Sequence, residues 1–280
     1  MKRWYWNAVI ATALMGAGSV FADDPKKPTE PPGEKKADTK KAGSDDKRTP
    51  NEKFRDAKKE YDIVRKEYVK VSQAFWDKKE KVSENKEYRD LLDKLDTALR
   101  EMYELAGAAA KADPKSKDGG EALFFVIRSS PPDANRDLFD LALEHYDGDE
   151  KFATVIHSMG YQEHSAAAEA LFKHILKKAK APLTISITKY ALGKIQLTSK
   201  DAEVQKTGEA MLADVTKNHR DAKIFKRLVA DFAEGQLFEY RDLAIGKAVP
   251  DIEGEDTNGE KFKLSDYHGK VILLDFWAHW

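Results

Sequence analysis

The chain has 280 residues, of which 41% are hydrophobic and 35% are charged, and its formal net charge at pH 7 is -1. This length suits about two domains. The balanced charge argues against nucleic-acid binding, which needs a clustered basic face. The chain contains no cysteine, which excludes disulfides, zinc–thiolate sites and thiol chemistry by these residues.

The first 22 residues are predicted to be a signal peptide. A positive start at Lys2 and Arg3 precedes an apolar stretch from Ala8 to Ala22, whose last residues suit cleavage after Ala22. We therefore expect an exported protein, periplasmic or extracellular, with no stable membrane insertion after cleavage. The alternative is a retained N-terminal anchor with the aromatic residues 4–6 at the membrane interface.

A flexible charged linker is predicted for residues 23–50. Five prolines and fifteen charged residues occupy these 28 positions, and the stretch has no aromatic residue and no Val, Ile, Leu or Met. Burial of apolar surface therefore cannot offset the entropy lost when such a segment becomes ordered.

A long helical hairpin is predicted for residues 51–112. Thr49, Pro50 and Glu52 have the spacing of a capping box that starts a helix. Apolar residues then recur at heptad spacing, at Phe54, Ala57, Tyr61, Val64, Tyr68, Val71 and Phe75. A second apolar seam follows a polar break near Ser83–Asn85, at Tyr88, Leu91, Leu95, Leu99, Met102 and Leu105. We expect an antiparallel hairpin with the aromatic residues in its seam, although a dimeric coiled coil satisfies the same pattern.

Shorter helices are predicted from residue 113 to residue 245. Turn signals at Ser129–Pro132, Asp147-Gly148 and Gly160 separate the first apolar faces, and Pro182 stands where it would start a helix. Further helices are expected over 166–176, 185–195, 202–215 and 224–238, although Thr184–Thr188 alternates as a strand does. The succession is similar in architecture to tetratricopeptide-like solenoids, but it has no fixed repeat.

The period of the apolar residues changes near residue 245, which predicts a domain boundary. Residues 246–280 contain Gly246, Pro250 and a hairpin signal at Asn258-Gly259. An apolar run from Val271 to Phe276 follows and is typical of a buried strand.

The C-terminal phrase KLSDYHGKVILLDFWAHW resembles the start of the TlpA/ResA-like thiol–disulfide oxidoreductases. These proteins form a branch of the thioredoxin superfamily and are grouped with the redoxin and AhpC/TSA families. The matching residues are Leu264-Ser265-Asp266, Gly269-Lys270, Phe276-Trp277-Ala278 and Trp280, with His279 at a variable position. In the family the next residue is the first cysteine of a Cys-x-x-Cys pair. The resemblance implies that Trp277, Ala278, His279 and Trp280 flank a redox site and that a cysteine pair begins after Trp280.

The resemblance implies chemistry by a thiolate that a helix N-terminus stabilises. The thiolate attacks a substrate disulfide or, in peroxidatic relatives, a peroxide, and the direction of the redox reaction stays open. No cofactor is implied, and the expected partner is a protein thiol or disulfide in the cell envelope. Because the chain stops before the cysteines, we expect it to be inactive and its residues 246–280 to be poorly ordered or docked on the helices. The alternative is a helical protein-interaction module with a vestigial redoxin tail.

The fold class expected is mainly α, a helical hairpin plus a helical-repeat-like array, followed by an incomplete α/β thioredoxin-like domain. No metal site is predicted, because His157, His164 and His174 do not share one helical face. The acidic stretches 147–150 and 253–256 lack the alternating oxygen ligands of a calcium loop.

Overall fold

The computed structural model describes residues 46–77, 85–162 and 164–275. These ranges are mainly α-helical, with nine α-helices and two small antiparallel sheets of two strands each. The chain divides into two compact units, the first ending at Val155 and the second beginning at Ile156. The predicted signal peptide, and the predicted linker except for residues 46–50, lie outside the described residues.

The predicted helical hairpin is confirmed as an intramolecular pair of helices. Helix α1 spans Pro50–Asp77 and helix α2 spans Lys86–Ala112. The pair is antiparallel, because Asn51 Nδ2 donates to Ser116 Oγ at 2.7 Å near one end and the hydroxyls of Tyr68 and Tyr88 lie 2.9 Å apart near the other.

Both predicted seams are largely buried within this hairpin. The buried seam residues are Phe54, Ala57, Tyr61, Val64, Tyr68, Tyr88, Leu91, Leu95, Leu99 and Met102. Two predicted seam residues, Val71 and Leu105, are only half-buried, and the buried face of α2 continues through Ala106, Ala109 and Ala110 instead of Leu105. The side chain of Phe75 and the break at residues 83–84 lie outside the description of the structure.

The capping box that starts α1 is confirmed. The backbone N–H of Thr49 donates to Glu52 Oε2 at 2.7 Å, and the N–H of Glu52 donates to Thr49 Oγ1 at 3.2 Å. The hydrogen bonds from Thr49 lower the pKa of the Glu52 carboxyl. Two amides that the helix leaves without partners are thus satisfied reciprocally.

Replacing Thr49 by alanine is expected to lower the free energy of unfolding of the first unit by about 1 kcal/mol, because the amide of Glu52 loses its acceptor. The matched control is Thr97→Ala within α2, where the hydroxyl bonds the carbonyl of Asp93 one turn earlier. Alanine has the higher helix propensity there, so we expect no loss. Urea unfolding followed by circular dichroism measures both variants, and equal losses would argue against the capping role.

Seven further α-helices follow the hairpin, and the predicted turns at Ser129–Pro132, Asp147-Gly148 and Gly160 separate the first four of them. They are α3 (Lys117–Ser129), α4 (Arg136–Tyr146), α5 (Glu150–Met159), α6 (Ala166–Lys178), α7 (Pro182–Leu197), α8 (Ala202–Asn218) and α9 (Val229–Asp242). The prediction that Pro182 starts a helix is confirmed, since it is the first residue of α7.

The ambiguous stretch Thr184–Thr188 is helical. It resembles a strand in sequence because α7 is buried around most of its circumference, so its apolar residues show no single face. The buried hydroxyl of Thr188 is satisfied within the helix by the carbonyl of Thr184 at 2.6 Å.

The predicted helix over 224–238 is wrong at its start. Strand β1 (Lys223–Ile224) pairs with strand β2 (Arg227–Leu228), and α9 begins only at Val229. Phe225 and Lys226 connect the strands with φ of 53° and 63°, in the left-handed region that a right-handed helix excludes.

Candidate functional site

The C-terminal segment begins with the hairpin that its sequence predicts. Strand β3 (Glu253–Glu255) pairs antiparallel with strand β4 (Lys261–Lys263), and Gly259 in the connection has φ of 83°. The carboxylate of Asp256 accepts the backbone N–H groups of Asn258 and Glu260 at 2.8 and 2.9 Å. These hydrogen bonds lower the pKa of Asp256, and the one from the N–H of Glu260 has the larger effect. The turn signal at Asn258-Gly259 is therefore confirmed.

The Leu-Ser-Asp phrase, residues 264–266, begins a short 3₁₀ helix, Leu264–Tyr267, directly after β4. Ser265 donates its N–H and its hydroxyl to the two carboxylate oxygens of Asp251, at 2.9 and 2.8 Å. These two hydrogen bonds lower the pKa of Asp251, and the one from the Ser265 hydroxyl has the larger effect. Asp266 accepts the N–H of Lys263 at 2.8 Å. Ser265 and Asp266 thus fix the backbone direction after β4.

The glycine of the Gly-Lys pair has a backbone role as well. Gly269 has φ of 81°, where a side chain is disfavoured, and the next N–H, that of Lys270, donates to the carbonyl of Tyr267 at 3.2 Å. The chain therefore turns directly before the apolar run that the sequence predicts as a strand.

The predicted strand from Val271 to Phe276 is wrong for the residues that the structure describes. Residues 271–275 have no regular secondary structure and are exposed, with Val271 at 103% and Leu273 at 93% exposure. A strand needs a neighbour for its hydrogen bonds, and within the described residues β3 and β4 pair only with each other. Of the two outcomes expected for this segment, docking on the helices is wrong for residues 271–275, because their apolar side chains are exposed.

The residues predicted to flank the redox site, Trp277, Ala278, His279 and Trp280, lie outside the described residues. No cysteine is present anywhere in the sequence. In the ranges 46–77, 85–162 and 164–275, no group of three or more His, Asp or Glu side chains converges as a metal site would require. None of the helices in these ranges is long and apolar enough to cross a membrane.

One cluster in the second unit has no counterpart in the sequence predictions. Four aromatic rings surround the imidazole of His157 with centroid separations of 5.2–5.7 Å: those of Tyr161, Tyr190, Phe225 and Phe232. We call these five residues the His157 cluster. They come from α5, the turn after it, α7, the β1–β2 connection and α9, so no local spacing in the sequence reveals them.

The centre of the His157 cluster is nearly buried. His157 is 9% exposed, and its Nε2 atom has no hydrogen-bond partner. Burial, together with the positive charge of Lys194, lowers the pKa of His157, so the imidazole is neutral near pH 7. Tyr161 and Phe225, by contrast, are 62% and 48% exposed and form the outer edge of the cluster.

The comparisons with known proteins point to the thioredoxin-like thiol–disulfide oxidoreductases. The chain is 42% identical over 38 residues to thiol-disulfide oxidoreductase ResA of Geobacillus kaustophilus, a match that covers 14% of this chain and 22% of that protein. It is 34% identical over 47 residues to ResA of Bacillus thuringiensis subsp. konkukian, covering 17% of this chain and 27% of that protein. ResA of Bacillus subtilis is 42% identical over 38 residues, covering 14% and 21%.

The chain therefore spans between 21% and 27% of the length of these relatives. No family model matches the chain, and no solved structure matches it. The matched stretches are short, and they support a thioredoxin-like relationship.

Proposed function

We propose that the protein is an exported thiol–disulfide oxidoreductase of the redoxin type. The observation that carries this proposal is the C-terminal phrase from Leu264 to Trp280, which has the family's residues in the family's order. The short matches to ResA proteins support the same assignment. Residues 1–22 act in this proposal as a cleaved signal peptide, and the partner is a protein thiol or disulfide in the cell envelope.

The geometry supports structural roles for the part of the phrase that the structure describes. Asp251 binds Ser265, Asp266 binds the backbone of Lys263, and Gly269 permits the turn that follows. These contacts set the direction of the backbone up to the apolar run that begins at Val271. In the proposed function Trp277 and Trp280 flank the redox cysteines, and the helical residues 51–245 form an accessory region.

The chemistry of the proposed function needs a sulfur atom that these 280 residues do not contain. A thiolate attacks one sulfur of a substrate disulfide and releases the other as a thiolate, and a second cysteine then resolves the mixed disulfide. We therefore propose that the cysteine pair belongs to codons that follow the family phrase, and that residues 1–280 alone catalyse no exchange.

Reading the gene in frame beyond codon 280 tests this proposal. We expect a Cys-x-x-Cys motif directly after Trp280, and a stop codon or the absence of cysteine there would overturn the proposal. The extended protein is then expected to accelerate insulin reduction by dithiothreitol. The 280-residue chain and an extended variant with both cysteines replaced by serine serve as controls, and both should match the uncatalysed rate.

A further inference from the structure

The His157 cluster leaves a buried nitrogen without a partner in the described structure. The Nε2 atom of His157 is buried and makes no hydrogen bond, although the imidazole as a whole is 9% exposed. A buried polar atom without a hydrogen bond destabilises a protein relative to one that is hydrogen-bonded. The cluster is therefore a place where a ligand group can supply a hydrogen bond that the protein lacks.

The β1–β2 connection places an aromatic ring and a lysine at the edge of this cluster. Phe225 and Lys226 occupy the two central positions of the connection, with φ of 53° and 63°. Turns with two left-handed residues favour Asn-Gly, and most other residues with a Cβ are sterically disfavoured there. Phe225 and Lys226 are thus poor choices for the turn itself, which indicates that their side chains serve another purpose.

The hairpin is strongly basic although the whole chain is not. Residues 220–227 contain Arg220, Lys223, Lys226 and Arg227 against the single acid Asp221. Two cations also lie on the rings of the cluster, Lys194 Nζ at 3.3 Å from the Tyr161 centroid and the Arg227 guanidinium at 4.3 Å from the Phe232 centroid. The negative charge of Glu239 interacts electrostatically with Lys194 and with Tyr190.

We propose that the exposed rings of Tyr161 and Phe225, together with Lys226 and Arg227, form a docking surface for an acidic peptide segment of a partner protein. The partner's carboxylates pair with Lys226 and Arg227, and an aromatic or aliphatic side chain packs on the two exposed rings. A polar group of the segment reaches His157 Nε2 as Phe225 shifts outward. This proposal does not depend on the C-terminal redoxin phrase.

The charge distribution favours a peptide over the other anionic partners. Nucleic acid is bound along an extended basic face, and an anionic membrane by several adjacent basic groups. Here the basic excess is that of residues 220–227, with four basic residues against the single acid Asp221, while the whole chain carries a net charge of -1. A peptide with a few carboxylates around one apolar side chain matches a surface of this size.

Fluorescence anisotropy with the 280-residue chain tests the docking surface. The probe is a fluorescein-labelled peptide, Glu-Asp-Trp-Glu-Asp-Glu, compared with Gln-Asn-Trp-Gln-Asn-Gln and Glu-Asp-Ser-Glu-Asp-Glu. We expect saturable binding of the first peptide and affinities at least about 10-fold lower for the other two, because each lacks one of the two interactions. Equal binding of the neutral peptide, or no binding of the acidic one, would overturn the proposal.

The decisive variant is the double substitution Phe225→Asn with Lys226→Gly. It installs the residues that the turn prefers, so the thermal midpoint of the second unit should stay the same or rise, while affinity for the acidic peptide falls at least about 10-fold. Lys94→Ala on the exposed side of α2 removes one positive charge elsewhere and should leave binding unchanged. Unchanged peptide affinity in the double variant would overturn the assignment of this surface.

The same parent and double variant also distinguish the peptide from other possible occupants of this surface. Tighter binding of a single-stranded oligonucleotide or of phosphatidylglycerol vesicles, lost in the double variant, would replace the peptide by another partner class and so overturn the proposal. Self-association that sedimentation velocity detects in the parent chain and that the double variant abolishes would identify a second copy as the occupant instead.

Discussion

Replacing Gly208 by alanine is expected to lower the free energy of unfolding of the second unit by about 3 kcal/mol. An added Cβ at this position would lie 2.6 Å from the carbonyl oxygen of Gly193 and 2.7 Å from Cβ of Gln196. The first of these is a backbone atom of α7, which cannot rotate away as the end of a side chain does. The two helices would have to separate at their contact.

Helices α7 and α8 leave no room for a side chain at Gly193 either. A Cβ on Gly193 of α7 would meet Leu212 at 2.9 Å and the carbonyl oxygen of Gly208 at 3.0 Å. Helices α7 and α8 therefore approach each other through two glycines, and the approach brings Leu212 and Ile195 into the core. A methyl group at this point disturbs well-packed neighbours, and tightly packed interiors have little space to accommodate it.

The matched control for Gly208→Ala is Gly235→Ala in α9, where an added Cβ meets nothing within 4 Å. There alanine should raise the free energy of unfolding by about 1 kcal/mol, because glycine is the poorer helix former. Urea or guanidinium unfolding of both variants measures the difference. Shifts of the same sign in the two variants would show that helix propensity, and not the close approach, determines the effect at position 208.

The stabilisation that ionised Glu169 gives to the second unit is expected to be lost in acid. Its carboxylate accepts His164 Nε2 at 2.7 Å, Lys173 Nζ at 2.5 Å and Gln196 Nε2 at 3.2 Å. The bond from His164 and then that from Lys173 lower its pKa from 4.5 to about 2. A lowered pKa means that the ionised form is favoured by folding.

Because folding lowers the pKa of Glu169, its carboxylate stabilises the second unit only while it is ionised. The stabilisation by Glu169 is fully present above its ordinary pKa of 4.5 and is lost as the pH falls toward about 2. We expect Glu169→Gln to lower the free energy of unfolding at neutral pH by about 2 kcal/mol, less than the full shift implies, because Lys173 is largely exposed and its charge is screened.

Unfolding free energies of the parent and of Glu169→Gln, measured at several pH values, test this prediction. The difference between the two should shrink between about pH 5 and about pH 2, where the parent carboxylate takes up its proton. Glu234→Gln on the exposed side of α9 is the control, with an expected change within about 0.5 kcal/mol at every pH. A difference that does not vary with pH would contradict the role of the charge.

Local sequence signals were sufficient where the structure depends on neighbouring residues. The capping box of Thr49 and Glu52, the seams of α1 and α2 and the start of α7 at Pro182 follow from spacing alone. The hairpin at Asn258-Gly259 is equally local, since a turn is set by the few residues within it. The resemblance at residues 264–280 also came from sequence, and for Ser265 and Asp266 the structure supplies a backbone role.

The remaining features depend on contacts between residues that are distant in sequence, so the sequence alone does not determine them. Thr184–Thr188 is helical although it alternates as a strand does, because neighbouring elements bury α7 from several sides and its sequence therefore shows no single apolar face. Residues 271–275 are strand-like in composition but are not a strand, because strand formation needs hydrogen bonds to a neighbour. The His157 cluster and the contact of Gly193 with Gly208 join residues of separate helices and turns. The spacing of residues along the sequence does not show which surfaces of these elements are in contact.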